Sequence, residues 1–580
     1  MASGISWDEK KSQKDEKFKL KFVDRVLDNV HGYIELTRVE RKIIELPIFT
    51  RLQSIKQLSL VNWVFPGAEH TRYIHSLGVM HIADRMAAQL KFDDDDRQII
   101  RLASLLHDIG HYPFSHVGES VYMEYGDYKP SVSETFVERQ WRLVEEKIEE
   151  LTQENKPSER NRYHHEIISA EIVESDERIA AIIKAECPFI AFDDLRAMIV
   201  GDYGRHDIAD KIQLLHSELD ADRMDYLQRD STFSGTSYGL FDFGVLIKNL
   251  DYVHIDKVDM YGMEPIQYQD GFRVLGIKPK GIAAADQFIL NRFYSYTQIV
   301  TNRHVAALEF MLKTLIHSFI LAGLGFPEIS NKESNADVLS TYIKGHSRDT
   351  GNTFLKFTEH LFWNVVQKLP VVIREPPVEE NSKRLSRLPG GYKLHKMANL
   401  LSEHREIRSI RIQSGEKYNS EEYNLEGIID EYIILDNDTA KIKKKMQSHF
   451  KHFQETLPNN DTIPIFRVDQ ITKNLPKDKI KEKLFSVTEL FDETKKDEVE
   501  LIEESKDNNN NDKLGEVDIM SVEQEKQKIF LKNIMDGAVV IENGTAHMLI
   551  DDHRSILAKI YDQKYAVLRT YDLLNAEQEG

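Results

Sequence analysis

The chain has 580 residues, 41% of them hydrophobic and 30% charged, with a formal net charge of −20 and a single cysteine. That length supports more than one domain with sizeable cores, while the acid excess disfavours a duplex-binding protein, because affinity for a phosphate backbone needs Lys and Arg to displace counterions. Cys187 alone permits neither an intrachain disulfide nor a thiolate metal site, and the chain shows no signal peptide and no run of about 18 apolar residues, so a cytoplasmic protein outside the membrane is expected.

In chain order, residues 1–19 are polar and charged and read as a flexible tail. From Phe22 to about Gly325 apolar residues recur at three- and four-residue spacing, which predicts helix nearly throughout. Tyr73–Leu90 reads as one helix. The acidic run Asp93–Asp96 suits a helix N-terminus ahead of a second, Arg97–His107. Leu214–Asp230 and Gln287–Leu321 read as two more, with a hairpin between them over Val253–Gly276. Beyond Gly325 a smaller α+β region is expected over 326–580. It has strands at Ile463–Asp469 and Ala538–Ile550, the latter turning at Asn543-Gly544, and a helix over Arg554–Leu574. Residues 495–516 are acidic, include Asn508–Asn511, and read as a disordered insertion.

One phrase carries the chemistry: His70-Thr-Arg-Tyr-Ile-His75-Ser-Leu-Gly, followed by Leu105-Leu-His107-Asp108-Ile-Gly-His111-Tyr-Pro-Phe-Ser-His116. Imidazoles and a carboxylate among short apolar runs suit a divalent metal beside catalytic groups. An adjacent His-Asp pair means little alone, and the chain supplies its own control at His206-Asp207, in a polar stretch where surface decoration is expected. His107-Asp108 instead ends an apolar helix and breaks at Gly110. His75 lies on the helix face bearing Val79 and Ile82, where a hydrogen-bonded core histidine is the bland alternative. Asp222, Tyr226 and Asp230 share one helix face by their i, i+4, i+8 spacing.

Together, His75, His107-Asp108 and Asp222 resemble the H…HD…D ligand set of the HD phosphohydrolase superfamily. Pro47–Leu58, Phe65–Gly78, His107–His116, Leu219–Asp230 and Gly235-Thr-Ser-Tyr-Gly are similar to the deoxynucleoside triphosphate triphosphohydrolases, the bacterial dGTPase-like branch in particular. The resemblance covers about residues 22–320, implies a mainly α fold with an HD-domain helical core over 20–325, and carries roles with it. His75, His107, Asp108 and Asp222 would hold a divalent ion (Mg, Mn, Fe or Zn). His116, oriented by Glu119, would protonate the leaving 5′ oxygen, and His111 and His165 would line the pocket, with His164 the competing choice for the latter. Arg72, Arg223 and Arg292 would bind the polyphosphate, with Tyr296 presented beside Arg292 at i+4 as a further substrate contact, and Gln57, Leu58, Tyr226 and Asp230 would contact the deoxyribose. The implied reaction releases a deoxynucleoside and tripolyphosphate from a dNTP, dGTP among the candidates. A nucleotide activator or inhibitor and a homo-oligomer, tetramer or dimer, are implied with it, serving dNTP pool control or phage defence. The competing readings are an HD-type phosphodiesterase or nucleotidase, and a non-catalytic nucleotide sensor.

Overall fold

Helices dominate this chain, and small sheets are attached to them. The computed structural model describes residues 18–125, 136–152, 162–258, 266–321, 353–363, 428–457, 462–470, 484–485, 535–542, 545–560 and 564–572. Residues 1–17 of the expected tail, the 495–516 insertion and the Asn543-Gly544 turn lie outside the described residues.

The first departure from the sequence reading comes at once. Phe22–Asp28 (β1) and Gly32–Thr37 (β2) form an antiparallel hairpin where helix was expected. In β2 the side chains alternate, Ile34 and Leu36 buried and Tyr33 and Glu35 exposed, which is strand periodicity. Gly32 holds φ +72° at the turn. A short helix, Arg38–Ile44 (α1), follows, its cap Thr37 answered by Glu40 three residues on.

The two expected central helices are present as Arg72–Gln89 (α2) and Asp94–Leu106 (α3). Asp93 caps α3 by accepting from the Asp96 N–H at 3.1 Å, and Asp94–Asp96 fill its first turn, where the helix dipole favours anions. His116–Tyr125 (α4), Phe136–Glu149 (α5) and His165–Ser175 (α6) continue the helical core.

The expected helix Leu214–Asp230 is shorter at its start, spanning Ala221–Ser234 (α7). Asp220 accepts from the Arg223 N–H at 2.7 Å and so begins the helix there, although the apolar run from Leu214 carries a helical rhythm past the cap. The expected hairpin is Leu250–Val258 (β3) with Ile266–Ile277 (β4), antiparallel. The single helix expected over Gln287–Leu321 is broken: Ile282–Ser295 (α8) runs into a π-helical turn, Tyr296–Val300, before Arg303–Leu321 (α9). Thr297 and Thr301 side chains bond back to carbonyls one turn earlier, which helps wind that turn wide.

In the C-terminal region, Ile428–Asp436 (β5), Thr439–Thr456 (α10) and Thr462–Gln470 (β6) are followed by the two-residue strand Leu484–Phe485 (β7), by Val539–Glu542 (β8) and by Thr545–Met548 (β9). The helix expected over Arg554–Leu574 is corrected to a four-residue turn, Leu557–Ile560, and a strand, Lys564–Asp572 (β10). β10 is the central strand of a β5-β10-β6 sheet, so both its edges are paired; Tyr565–Tyr571 then reads as a mixed apolar run with no clean alternation. One face of this sheet is covered by α10 and α5 through Ile434, Phe450, Phe453, Leu568 and Val144. The other meets the helical core, where Arg569 Nη1 donates to the Thr301 carbonyl at 2.9 Å and Tyr571 to that of Arg303 at 3.1 Å. A five-stranded sheet of order β7-β3-β4-β8-β9 joins the hairpin to the later strands.

Arg101, only 2% exposed, ties four elements together. It donates to Glu40 on α1 (2.7 Å), Asp84 on α2 (2.9 Å) and the Glu35 carbonyl on β2 (2.7 Å), all from its place on α3. Removing one partner of a buried ion pair strands the rest. Arg101→Met is therefore expected to destabilise the fold by about 3–5 kcal/mol, measured by urea unfolding; a loss below about 1 kcal/mol would contradict this account.

Candidate metal and hydrolytic site

The site forms where α2, the C-terminus of α3 and α7 meet. α7 crosses α2 closely because residue 78 is glycine: a Cβ there would lie 1.9 Å from Asp225 Oδ1 and 2.4 Å from Arg229 Nη2. The turn after α3 is close-packed for the same reason, since a Cβ on Gly110 would meet the Ser169 nitrogen at 2.5 Å and the His165 carbonyl oxygen at 2.7 Å. These two approaches bring Asp222 to His75 and His165 to Asp108.

His75, His107 and Asp108 are buried and close enough to share one ion. The hydrogen-bond network assigns both ring tautomers. His75 Nδ1 faces Asp225 Oδ2 at 2.7 Å, and His107 Nδ1 faces the Ser104 carbonyl at 2.7 Å. Each Nδ1 therefore donates, and each Nε2 presents a lone pair into the site without a hydrogen-bond partner. Around them stand carboxylate oxygens: Asp222 Oδ1 is 2.9 Å from His75 Nε2 and 3.8 Å from His107 Nε2, and Asp108 Oδ1 is 3.4 Å from His107 Nε2. Lone pairs facing carboxylates with no proton between them repel, unless a cation sits among them. Two imidazoles and two carboxylates suit a borderline-to-hard divalent ion, so the residues fit the metal.

The electrostatics agree. Burial lowers the His75 proton affinity, but the Asp222 and Asp225 carboxylates outweigh it and push the imidazole up to about 10, so a proton competes for the place of the cation. Burial likewise opposes ionisation of Asp108, yet Arg72, His107, His75 and His165 hold its carboxyl well below the usual range.

Beside the same Asp108 oxygen begins a network of histidines around Glu119. His165 Nε2 is 3.8 Å from Asp108 Oδ1, and its Nδ1 is 2.7 Å from Glu119 Oε1. Glu119 Oε2 takes His116 Nδ1 at 2.8 Å. Glu119 is thus saturated by donors, which explains why its carboxyl lies well below the usual range against the effect of burial, and why His165 is pushed up to about 9 despite its own burial. His111 stacks on His165 with ring centres 4.4 Å apart. Its Nδ1 accepts from the Tyr112 N–H at 3.0 Å, so Nε2 carries the proton, buried and without a partner. Burial, then Arg72 and the neighbouring histidines, keep the His111 ring neutral. Of the adjacent pair, His165 faces this network, while His164 caps α6.

The three arginines and the residues expected to meet a nucleoside fall into two groups. Arg223, Tyr226, Arg292 and Tyr296 gather near Asp222: burial pushes the Tyr226 hydroxyl well above its ordinary value, Tyr296 and Asp222 add to this, and Arg292 and Arg223 oppose it. Leu58 packs near Ile299 of the π turn, and Gln57 is buried beside it, its N–H on the His70 carbonyl. Arg72 instead donates to Asp108 Oδ2 at 2.5 Å and to Ser115 Oγ at 2.8 Å. Asp230 turns to buried His70, 2.8 Å away. Each of the three arginines has a carboxylate partner, Arg223 with Asp220 and Arg292 with Glu218 at 2.5 Å. The control pair behaves as a surface feature at Asp207, which is exposed and ion-paired with Arg205.

Sequence reasoning missed Asp225. This carboxylate lies behind the candidate ligand His75, takes His75 Nδ1, His31 Nε2 (2.6 Å) and Arg229 Nε (2.8 Å), and Arg229 is held in turn by Asp28 (2.7 Å). Its i, i+4 spacing to Arg229 was the available local signal.

Residues 72–230 match the HD domain family. The chain contains an HD domain. HD domains bind divalent metal ions, and the clusters above supply the donors for one. The chain is similar to the uncharacterized protein YwfO of Bacillus subtilis, 28% identical over 296 residues, which are 50% of this chain and 54% of that one. A shorter stretch resembles the deoxynucleoside triphosphate triphosphohydrolase SAMHD1 of Bos taurus, 43% identical over 97 residues, 16% of each chain. The chain spans about half the length of the first curated relatives it matches. A solved structure from Aquifex aeolicus, a hypothetical protein, shares the fold: TM-score 0.51 at 17% identity, covering 95% of this chain and 96% of that one. The family match, the likeness to SAMHD1 and the His/Asp cluster support a metal-dependent hydrolase of the HD class. Among the described residues no helix is long and apolar enough to cross a membrane.

Since Asp225 fixes which nitrogen His75 turns outward, Asp225→Asn is expected to weaken metal affinity about 10–100-fold in a Mn titration of the purified protein. Unchanged affinity would show that the ligand needs no such support.

Proposed function

We propose that the protein hydrolyses dNTPs to a deoxynucleoside and tripolyphosphate. The observation that carries this reading is the double environment of Asp108, whose Oδ1 lies 3.4 Å from His107 Nε2 in the candidate ion-binding group and 3.8 Å from His165 Nε2, where the His165–Glu119–His116 network begins. A phosphoryl group held at His75, His107, Asp108 and Asp222 would lie against that network. The name of the bovine relative supports the triphosphate substrate.

A divalent ion bound there supplies Lewis acidity toward a phosphoryl oxygen. The chain's own groups do the rest. Water attacks the α-phosphorus, the bond to the 5′ oxygen breaks, and His116 delivers a proton to the leaving oxygen while Glu119 holds its ring. The Nε2–H of His111 is a ready donor to a phosphoryl oxygen as charge grows there. Arg72, Arg223 and Arg292 offer planar forks to the polyphosphate. Gln57, Leu58, Tyr226, Asp230 and Tyr296 form the nucleoside side, and the Tyr226 ring against the sugar favours a 2′-deoxy substrate. Control by a nucleotide and assembly into a homo-oligomer belong to this reading, with pool control or phage defence as its setting.

One observation favours a second reading, cleavage of a phosphodiester or monophosphate. Arg72, Arg223 and Arg292 already hold carboxylates, so a triphosphate must displace Asp108, Asp220 or Glu218 from them.

Incubation with each dNTP, singly and in pairs, in Mg or Mn, separates the two. Deoxynucleoside plus intact tripolyphosphate is expected, abolished by chelation; release of pyrophosphate or of a monophosphate would overturn the proposal. His116→Ala is expected to lower kcat by about 10²–10⁴ with metal content unchanged.

A further inference from the structure

Residues 353–363 pack against the loop that ends in His116. Arg51, buried beneath it, donates to the Phe357 carbonyl at 2.8 Å and to the carbonyls of Ile109 and His111 at 2.9 and 2.8 Å. Phe114 meets Phe362 and Trp363 edge-on, with ring centres 5.7 and 5.3 Å apart. Between these aromatic contacts stands a carboxylate, Glu359, only 6% exposed. Its Oε1 accepts from the Lys56 N–H at 2.8 Å, and the backbone N–H of Phe114 lies near enough to favour the ionised carboxylate.

Both backbones it faces lead to the site. Phe114 and Ser115 occupy the left-handed region, φ 61° and 54°, a conformation non-glycine residues keep only when the surroundings impose it. The next residue is His116. On the other branch, Ser115 Oγ donates to the Lys56 carbonyl at 2.5 Å and accepts from Arg72 Nε at 2.8 Å, and Arg72 reaches Asp108.

We propose that Glu359 is a positioning residue of the hydrolytic site: by binding the Lys56 N–H and attracting that of Phe114, it holds the left-handed turn that presents His116 and, through Lys56 and Ser115, the guanidinium of Arg72. This rests on the reading of His116 as the acid. Burial pushes the Glu359 carboxyl up to about 7, opposed by its backbone donors and Lys56 and aided by Glu69, the charged groups that face it. A folded-state value above the unfolded one means that stability from this group is present at low pH and lost as pH rises through about 7. The ionised clamp therefore weakens the fold, and a residue serving packing alone has no use for it. Glutamine offers one acceptor oxygen and turns an NH₂ donor toward the second N–H.

The test is Glu359→Gln in the full chain. Expected are a kcat for dNTP hydrolysis about tenfold lower, unchanged metal content, a melting temperature at pH 8 no lower than the parent's, and loss of the parent's acid limb near pH 7. A parental kcat and pH profile would overturn the proposal, as would a kcat loss that merely follows loss of folded protein. If the parent cleaves bis(p-nitrophenyl) phosphate but no dNTP, the substrate reading fails while the same ratios, read on the diester, still judge Glu359. A readout free of turnover is the His116 imidazole resonance, assigned by its absence in His116→Ala. It is expected to move in Glu359→Gln, and an unmoved resonance overturns the proposal whatever the substrate.

Discussion

Asp225 is fully buried, and a buried carboxylate is tolerated only when donors replace the water it has lost. Here the donors are His31, His75 and both reachable nitrogens of Arg229. Once it is in place, little else in the site is free to vary. His75 must give its Nδ1–H inward, so its Nε2 lone pair must point outward to Asp108 and Asp222. Arg229 must be balanced, and Asp28 at the end of β1 does this. The N-terminal hairpin, α2, α7 and the ion-binding cluster are thus one electrostatic unit, assembled across a helix crossing that only the missing side chain of Gly78 permits.

Asp108 divides what that unit holds. Toward His75 and His107 there are acceptors awaiting a cation. Toward His165 and His116 the ring nitrogens already face Glu119, which takes one hydrogen bond from each. The partition follows from backbone placement, since a carbonyl at Ser104 and an N–H at Tyr112 decide which nitrogen each imidazole presents. The residues immediately around an imidazole, rather than the imidazole itself, set whether it binds a metal or moves a proton.

How much of this could be read from the sequence depended on distance along the chain. His107, Asp108, His111 and His116 lie within one turn-and-helix phrase, and their grouping was visible there. α3 was visible too, because its apolar residues recur on one face and Asp93–Asp96 marks a start, and α2 showed as a long, mostly apolar run that is buried nearly all round. The beginning of α7 was hidden, since Leu214 to Leu219 continue a helical rhythm that the Asp220 cap interrupts. Local spacing gives little on the roles of Asp222, Asp225 and Asp230; contacts to His31, His70 and His75, more than 140 residues away, separate them. β10 was misread for a similar reason. Its short apolar stretch Tyr565–Leu568, followed by Arg569 and Thr570, shows no clean alternation, and such a stretch can equally belong to a buried helix.

β5 and β6 each pair with β10, and among the described residues not with one another. During synthesis, therefore, both strands wait, edges open, until residue 572 has emerged. The carbonyls of Thr301 and Arg303, just past the π turn that carries Tyr296, wait for the same strand. Such long-range pairing is slow to form and leaves exposed edges in the meantime. The face of the helical core beside the π turn is consequently completed only after β10 has been made, so a chain cut before that strand would hold the His75–His107–Asp108 cluster without that support.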